Sequence, residues 1–306
     1  MDPAIVVFGL GIGLLVGLTG VGGASLMTPL LILLFGTQPV TAIGTDIFYA
    51  AITKTVGGYQ HLKLKTVHRG IAFWLTVGSV PAAIAGVYVI ELLQRQLGDD
   101  IDSLVLGVLG GTLLVVGTAT LLRSVFFSHA IIERYAVHLY RRHIVAAVVT
   151  GMVTGFVIAV TSAGSGALVA IALIAIFRLT PQRVVGTSIF QAAVLLWVAG
   201  VAHWVGGNID FGLAGNILVG SVPGVLLGSR LSVRAPQGFL RIAIAVVLVA
   251  AGIILVAKEG TSDVVIPAIA FAAVMVGLLF VIQAVSTRPT GHGRRSSPGT
   301  AGLDAS

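Results

Sequence analysis

Apolar positions in this chain fall in long unbroken runs, not in the one-sided or alternating patterns of a soluble fold. Runs near residues 70–91, 104–122, 182–202, 211–229, 239–257 and 264–285 approach or reach the length that crosses a bilayer as a helix, ~20 residues. Shorter apolar segments come in two pairs, 4–18 with 24–36 and 144–160 with 166–177. Most of these are too short to cross ~30 Å at a rise of ~1.5 Å per residue. A break rich in glycine and hydroxyl residues divides each pair: Thr19-Gly20-Val21-Gly22-Gly23-Ala24-Ser25 in the first and Thr161-Ser162-Ala163-Gly164-Ser165-Gly166 in the second. Irregular backbone at membrane depth persists only where it is buried in protein or lines a wet cavity. Each pair therefore reads as a re-entrant or tightly bent hairpin that returns to its own side, followed by three full spans.

The pattern occurs twice, at an offset of 142 residues. Laid on 161–228, residues 19–86 give 24 identities in 68 positions without a gap, enough to establish an internal repeat. His61 falls on His203, Gly44-Thr45 on Gly186-Thr187, and Gly78-Ser79-Val80-Pro81 on Gly220-Ser221-Val222-Pro223. The expected organisation is a first membrane repeat over 1–123 and a basic interfacial linker over 124–143. A second repeat covers 144–257, an additional transmembrane helix 264–285, and a disordered cytoplasmic tail 286–306.

Charge orients the two copies. Hydrophobic residues make up 57% of the chain and charged residues only 9%, against about 25% in a soluble domain, so this is an integral membrane protein. The net charge of +7 sits in loops and tail, where Lys and Arg set topology; it does not indicate nucleic-acid binding. Lys63, Lys65 and Arg69 place the loop 61–69 in the cytoplasm, and Arg178 and Arg183 do the same for theirs. The loop 203–210 has no Lys or Arg and is placed outside, as is the segment 92–100. The assignments alternate along the chain, with the N-terminus outside, read as the mature start, and the C-terminus inside. The loop before the third helix is uncharged in the first copy and basic in the second, so the repeats are inverted. The expected fold is an all-α integral membrane protein of two inverted-topology repeats, each a broken helix pair plus three transmembrane helices, with one extra C-terminal span. Inverted repeats are the architecture of secondary transporters, with the site where the repeats meet.

The breaks carry the candidate chemistry. The segment after each begins with a free helix N-terminus, whose unpaired N–H groups and partial positive charge suit an anion. Gly20, Gly22, Gly23, Gly164 and Gly166 let a ligand approach the backbone, and Thr19, Ser25, Thr161, Ser162 and Ser165 add hydroxyl donors. The competing reading is helix packing alone, since Gly9, Gly13 and Gly17 already form a small-residue stripe. Thr45, Thr187 and Ser188 either complete an anion cage or bond between helices, and Gln191, one turn beyond Thr187, is placed at the same cavity. Asp46 stands where the second copy has Ser188, about two turns into its helix; it is read either as a proton carrier or as a partner of Lys54. His61 and His203 are read either as gating or proton-relay groups, since histidine titrates near neutrality, or as interface histidines. Pro81 and Pro223 lie inside apolar helices as kinks. His129, His138 and His143 have no compact ligand spacing, so no metal is expected. No cofactor or catalysis is expected either: the chain has no P-loop, no dinucleotide fingerprint, no Gly-x-Ser-x-Gly elbow and no His-Glu-x-x-His. An intramembrane enzyme using Asp46 and His61 is disfavoured, because those residues lie well over ~10 Å apart along one helix.

At these residues the chain resembles the sulfite exporter TauE/SafE family of membrane transporters. The resemblance rests on the two breaks, on Gly44-Thr45-Asp46 and Gly186-Thr187-Ser188, on His61 and His203, on Gly207-Asn208-Ile209-Asp210, and on Gly220-Ser221-Val222-Pro223-Gly224 running to Gly228-Ser229-Arg230. It covers about residues 4–257 without the linker. It implies movement of a small sulfur-containing oxyanion, such as sulfite or an organosulfonate, across the cytoplasmic membrane, with export favoured by the family name. The departures are Asp46 where the family favours Ser, His68 where the second copy has Asp210, and the added C-terminal span. A carboxylate near the cage repels an anion unless protonated. The expected partners are a small anionic substrate and the lipid bilayer; a homodimer is compatible with the sequence. The alternatives are an anion channel of the same fold and a carrier of a different small organic anion.

Overall fold

The computed structural model describes residues 2–19, 23–98, 101–126, 140–164, 166–232 and 237–259. The proposed span 264–285, the tail 286–306 and most of the linker 124–143 lie outside the described residues. All regular elements among the described residues are helices: α1 (Pro3–Thr19), a 3-10 turn (Gly23–Leu26), α2 (Met27–Phe35), α3 (Pro39–Lys63), α4 (Arg69–Leu97) and α5 (Ile101–Phe126), then α6 (Arg141–Thr161), α7 (Ala167–Ala175), α8 (Pro181–Val205), α9 (Phe211–Ser232) and α10 (Gln237–Glu259). Five of them are long and apolar enough to cross a membrane: α4, α5, α6, α8 and α9.

In each pair the second helix is short. α2 and α7 have nine residues each, about half a bilayer. Both fold back along the helix before them. The Phe8 and Phe35 rings meet edge to face at 4.9 Å, joining the first half of α1 to the end of α2. His143 and Phe177 close the second hairpin at 6.1 Å. One expected length differs: α6 has 21 residues and is long and apolar enough for a full span, because Arg141, Arg142 and His143 belong to its first turn and not to the linker. Tyr140 stands at the N-cap of that turn: its N–H donates to His143 Nδ1 at 3.4 Å and its carbonyl accepts the His143 N–H at 2.8 Å.

The offset of 142 recurs in the packing. α1 lies parallel to α9: Cβ atoms added at Gly220, Gly224 and Gly228 would collide in turn with the carbonyls of Val6, Leu10 and Leu14. α6 lies parallel to α4 through the equivalent contacts, with Gly78 against Val148, Gly151 against Leu75 and Gly155 against Ser79. Backbones this close require glycine, and van der Waals packing of this kind holds helices together in lipid. α3 and α8 occupy matching places and pack antiparallel on each other, Gly58 against Phe190 and Gly200 against Phe48. α5 and α10 do the same, with Gly110 against Gly252 and Gly117 against Ala245. Pro81 and Pro223 lie in the interiors of α4 and α9 on exposed faces, while Gly78-Ser79 and Gly220-Ser221 hold the buried faces.

Candidate functional site

The packing brings the second break against the start of α2. Two residues turn this break: Ser162, in the left-handed region at φ 55°, and Gly164, at φ 83°. The turn sends the Gly164 N–H to Ser25 Oγ at 3.0 Å, so a backbone amide of one break bonds a hydroxyl of the other. It also sends Ser162 Oγ to Asp46 of α3, donating to Oδ2 at 2.9 Å. Thr28, in the first turn of α2, donates to the same oxygen at 2.6 Å. Asp46 is 1% exposed, and its Oδ1 has no hydrogen-bond partner. The charge of Lys54, two turns along α3, acts on Asp46. The arrangement is a buried cluster of three hydroxyls and one backbone amide at a helix start, with one carboxylate inserted into it.

Other candidates fall elsewhere. The Thr45 hydroxyl accepts the amide of Asp210 at 3.0 Å and the Thr187 hydroxyl accepts the amide of His68 at 2.9 Å. These are matching bonds, each from the third helix of one copy to the loop before the fourth helix of the other. The preceding glycines make room, since a Cβ at Gly44 would collide with the Asn208 carbonyl and one at Gly186 would lie 2.9 Å from the Thr66 carbonyl oxygen. Ser188 Oγ returns to the Val185 carbonyl within its own helix, at 3.1 Å. Thr161 does the same toward Val157 at 2.7 Å, and its oxygen also accepts the Ala163 amide at 3.3 Å. Thr19 ends α1, Gly23 opens the 3-10 turn and Gly166 caps α7, whereas Gly20, Gly22 and Ser165 lie outside the described residues.

Gln191 is buried and donates from Nε2 to Ser79 Oγ at 2.9 Å, leaving its Oε1 unpartnered. Its mate in α3 is Tyr49, whose hydroxyl is oriented toward Ser221 without a hydrogen bond of ordinary length. The histidines part company. His203 is fully buried, with Nε2 against the Ala159 carbonyl at 2.9 Å and Nδ1 unpartnered. His61 is partly exposed, with Nδ1 against Thr66 Oγ1 at 2.9 Å. The departure at His68 conserves a role: its Nδ1 accepts the Ile71 amide at the start of α4, as Asp210 Oδ1 accepts the Leu213 amide at the start of α9. Among the described residues no cluster of His, Asp and Glu is arranged to hold a metal.

Sequence reasoning missed Thr28 because its mate in the repeat is Ala170, so the duplication gave no signal there. The available signal was that Thr28 is the only hydroxyl residue in the otherwise apolar α2, Met-Thr-Pro-Leu-Leu-Ile-Leu-Leu-Phe.

Comparison with known proteins bears on this arrangement. The sequence model described as sulfite exporter TauE/SafE matches residues 5–255. The probable membrane transporter protein YjnA of Bacillus subtilis (strain 168) is 36% identical over 260 residues, covering 84% of this chain and 100% of that protein. The probable membrane transporter protein YdhB of the same organism is 26% identical over 245 residues, 80% of this chain and 96% of that one. A probable membrane transporter protein of Xylella fastidiosa (strain 9a5c) is 28% identical over 238 residues, 76% of this chain and 87% of that one. No solved structure matches at the stringency that admits these relatives.

Proposed function

We propose, because the chain belongs to the sulfite exporter TauE/SafE family, that it is a secondary carrier of a small sulfur-containing oxyanion, sulfite or an organosulfonate. It works by alternating access between two inverted repeats in the cytoplasmic membrane, with the N-terminus outside and the C-terminus in the cytoplasm. The antiparallel packing of α3 on α8 and of α5 on α10, at matching positions, supports inversion. The observation that carries the site is the bond from the Gly164 amide to Ser25 Oγ, which joins the two breaks at the start of α2. Amides and hydroxyls presented at a half-helix start suit an oxyanion without a full countercharge. Rocking of one repeat on the other then opens this place to each side in turn, and the direction of net movement follows the gradients.

The test is uptake of radiolabelled sulfite into proteoliposomes, competed by sulfate, thiosulfate and small sulfonates. Saturable uptake blocked by one competitor class, with faster uptake when unlabelled anion is trapped inside, is the expected result. Trans-acceleration separates a carrier from a channel, which has none. Absence of uptake of any sulfur anion by folded protein removes the substrate assignment.

A further inference from the structure

We infer that Thr28 and Ser162 form a hydroxyl pair for which the Asp46 carboxylate and the transported anion compete, so that each anion is carried together with one proton on Asp46. This deepens the oxyanion-carrier reading and rests on it. Both hydroxyls, from different repeats, donate to the same oxygen, Oδ2, at 2.6 and 2.9 Å. They hold the carboxylate at the start of α2 in the way a bound oxyanion is held. Oδ1 beside them is buried and has no partner among the described residues. Asp46 is thus an internal stand-in for the cargo.

With Asp46 ionised, an arriving anion meets a like charge and finds both hydroxyls occupied. A proton placed on Oδ1 removes the charge, weakens Oδ2 as an acceptor and frees Thr28 Oγ1 and Ser162 Oγ to turn to the anion. The new O–H becomes a third donor to it. On the far side the anion leaves, the proton leaves Oδ1 for water, and the hydroxyls return to Oδ2. One proton therefore moves with each anion, and a singly charged sulfonate crosses without net charge transfer. The neighbours allow this assignment. Thr28 of α2 and Ser162 at the end of α6 do not titrate; among the described residues the titratable groups in electrostatic reach of Asp46 are Lys54, whose charge favours the carboxylate, and Tyr49, which feels the Asp46 charge, both on its own helix. The second copy lacks the device, with Ser188 in place of Asp46, Ala170 in place of Thr28 and Gly20 in place of Ser162.

The test uses the full-length protein in proteoliposomes with labelled sulfite and labelled methanesulfonate. Counterflow is measured first; if neither anion exchanges, the carrier reading itself fails. With either anion that exchanges, acidifying the outside is expected to drive accumulation above equilibrium in the wild type. Asp46→Asn, which keeps a polar group but takes up no proton, is expected to lose that accumulation and to lose the pH dependence of whatever counterflow it retains. Asp46→Ser, the residue of the matching position, serves as a second variant and is expected to behave the same way. Thr28→Val is expected to raise the half-saturating anion concentration about tenfold, the loss of one hydrogen bond to a charged group, while the proton-driven accumulation remains. Proton-driven accumulation by Asp46→Asn or Asp46→Ser equal to wild type, or an unchanged half-saturation in Thr28→Val, overturns the inference.

Discussion

Ser79 and Ser221 fall on each other in the repeat, yet they serve different partners. Ser79 accepts the only hydrogen bond made by the buried Gln191 side chain among the described residues, whereas Tyr49 makes no bond of ordinary length to Ser221. Ser79→Ala is therefore expected to cost about 1–3 kcal/mol, because it strands a second polar atom of a buried amide. Ser221→Ala is expected to cost less than about 1 kcal/mol. Unfolding in a detergent titration compares the two, and equal losses would refute the difference in partners. At this scale the sequence was legible at the two breaks and at a conspicuous departure from the repeat. It pointed to Ser25, Ser162 and Gly164, which the structure brings together, and to Asp46 beside them. The duplication passed over Thr28, whose mate is Ala170. The sequence left Thr45 open between the anion cage and a bond between helices, and the Thr45 hydroxyl is bound to a loop amide of the other copy. Adjacent residues of a helix face different ways, and the 100° between Thr45 and Asp46 separates a loop clasp from the break.

Helices and turns repeat more faithfully than side chains. Gly36 and Arg178 occupy matching turns and share a left-handed backbone, at φ 62° and 52°. Lys65 and Gly207 are matched in the same way, at φ 56° and 74°. In each pair glycine takes the conformation without strain, while the basic residue bears a steric penalty of about 1 kcal/mol. The positive-inside pattern predicts both basic residues in cytoplasmic loops and both glycines in outside loops, and the proposed orientation accounts for a basic residue in a turn that prefers glycine. Lys65→Gly and Arg178→Gly are each expected to stabilise the folded protein by about 0.5–1 kcal/mol, read as a raised melting temperature in detergent. The glycine stripes make the opposite case. Gly13→Val and Gly155→Val meet equivalent carbonyls, those of Ser221 and Ser79, and are each expected to lose about 1–3 kcal/mol, in similar amounts. The sequence announced helices and breaks through long apolar runs and glycine clusters. The start of α6 was harder to read, because Arg141 and Arg142 resemble linker residues until Tyr140 caps them into the first turn.

At the level of the whole molecule, the helix packing is compatible with the inversion that the positive-inside pattern predicts. That pattern predicts the end of α3 inside and the end of α8 outside. Residue contacts that make no reference to charge place α3 and α8 antiparallel. The chain has no cysteine, so a single introduced thiol reports its own side of the membrane without interference. Leu64 follows α3 and is 68% exposed; Val205 ends α8 and is 83% exposed, so both accept a reagent. Val205→Cys is expected to react in intact cells with a membrane-impermeant maleimide, and Leu64→Cys only after the membrane is opened. Labelling of both from the same side would make α3 and α8 parallel across the bilayer and would remove the inverted repeat. With it would go the reason for expecting a site that opens alternately to the two sides, since that expectation depends on two copies of one scaffold presenting the breaks from opposite faces. The reverse pattern, Leu64→Cys outside and Val205→Cys inside, would keep the inversion and overturn only the orientation drawn from Lys63, Lys65 and Arg69.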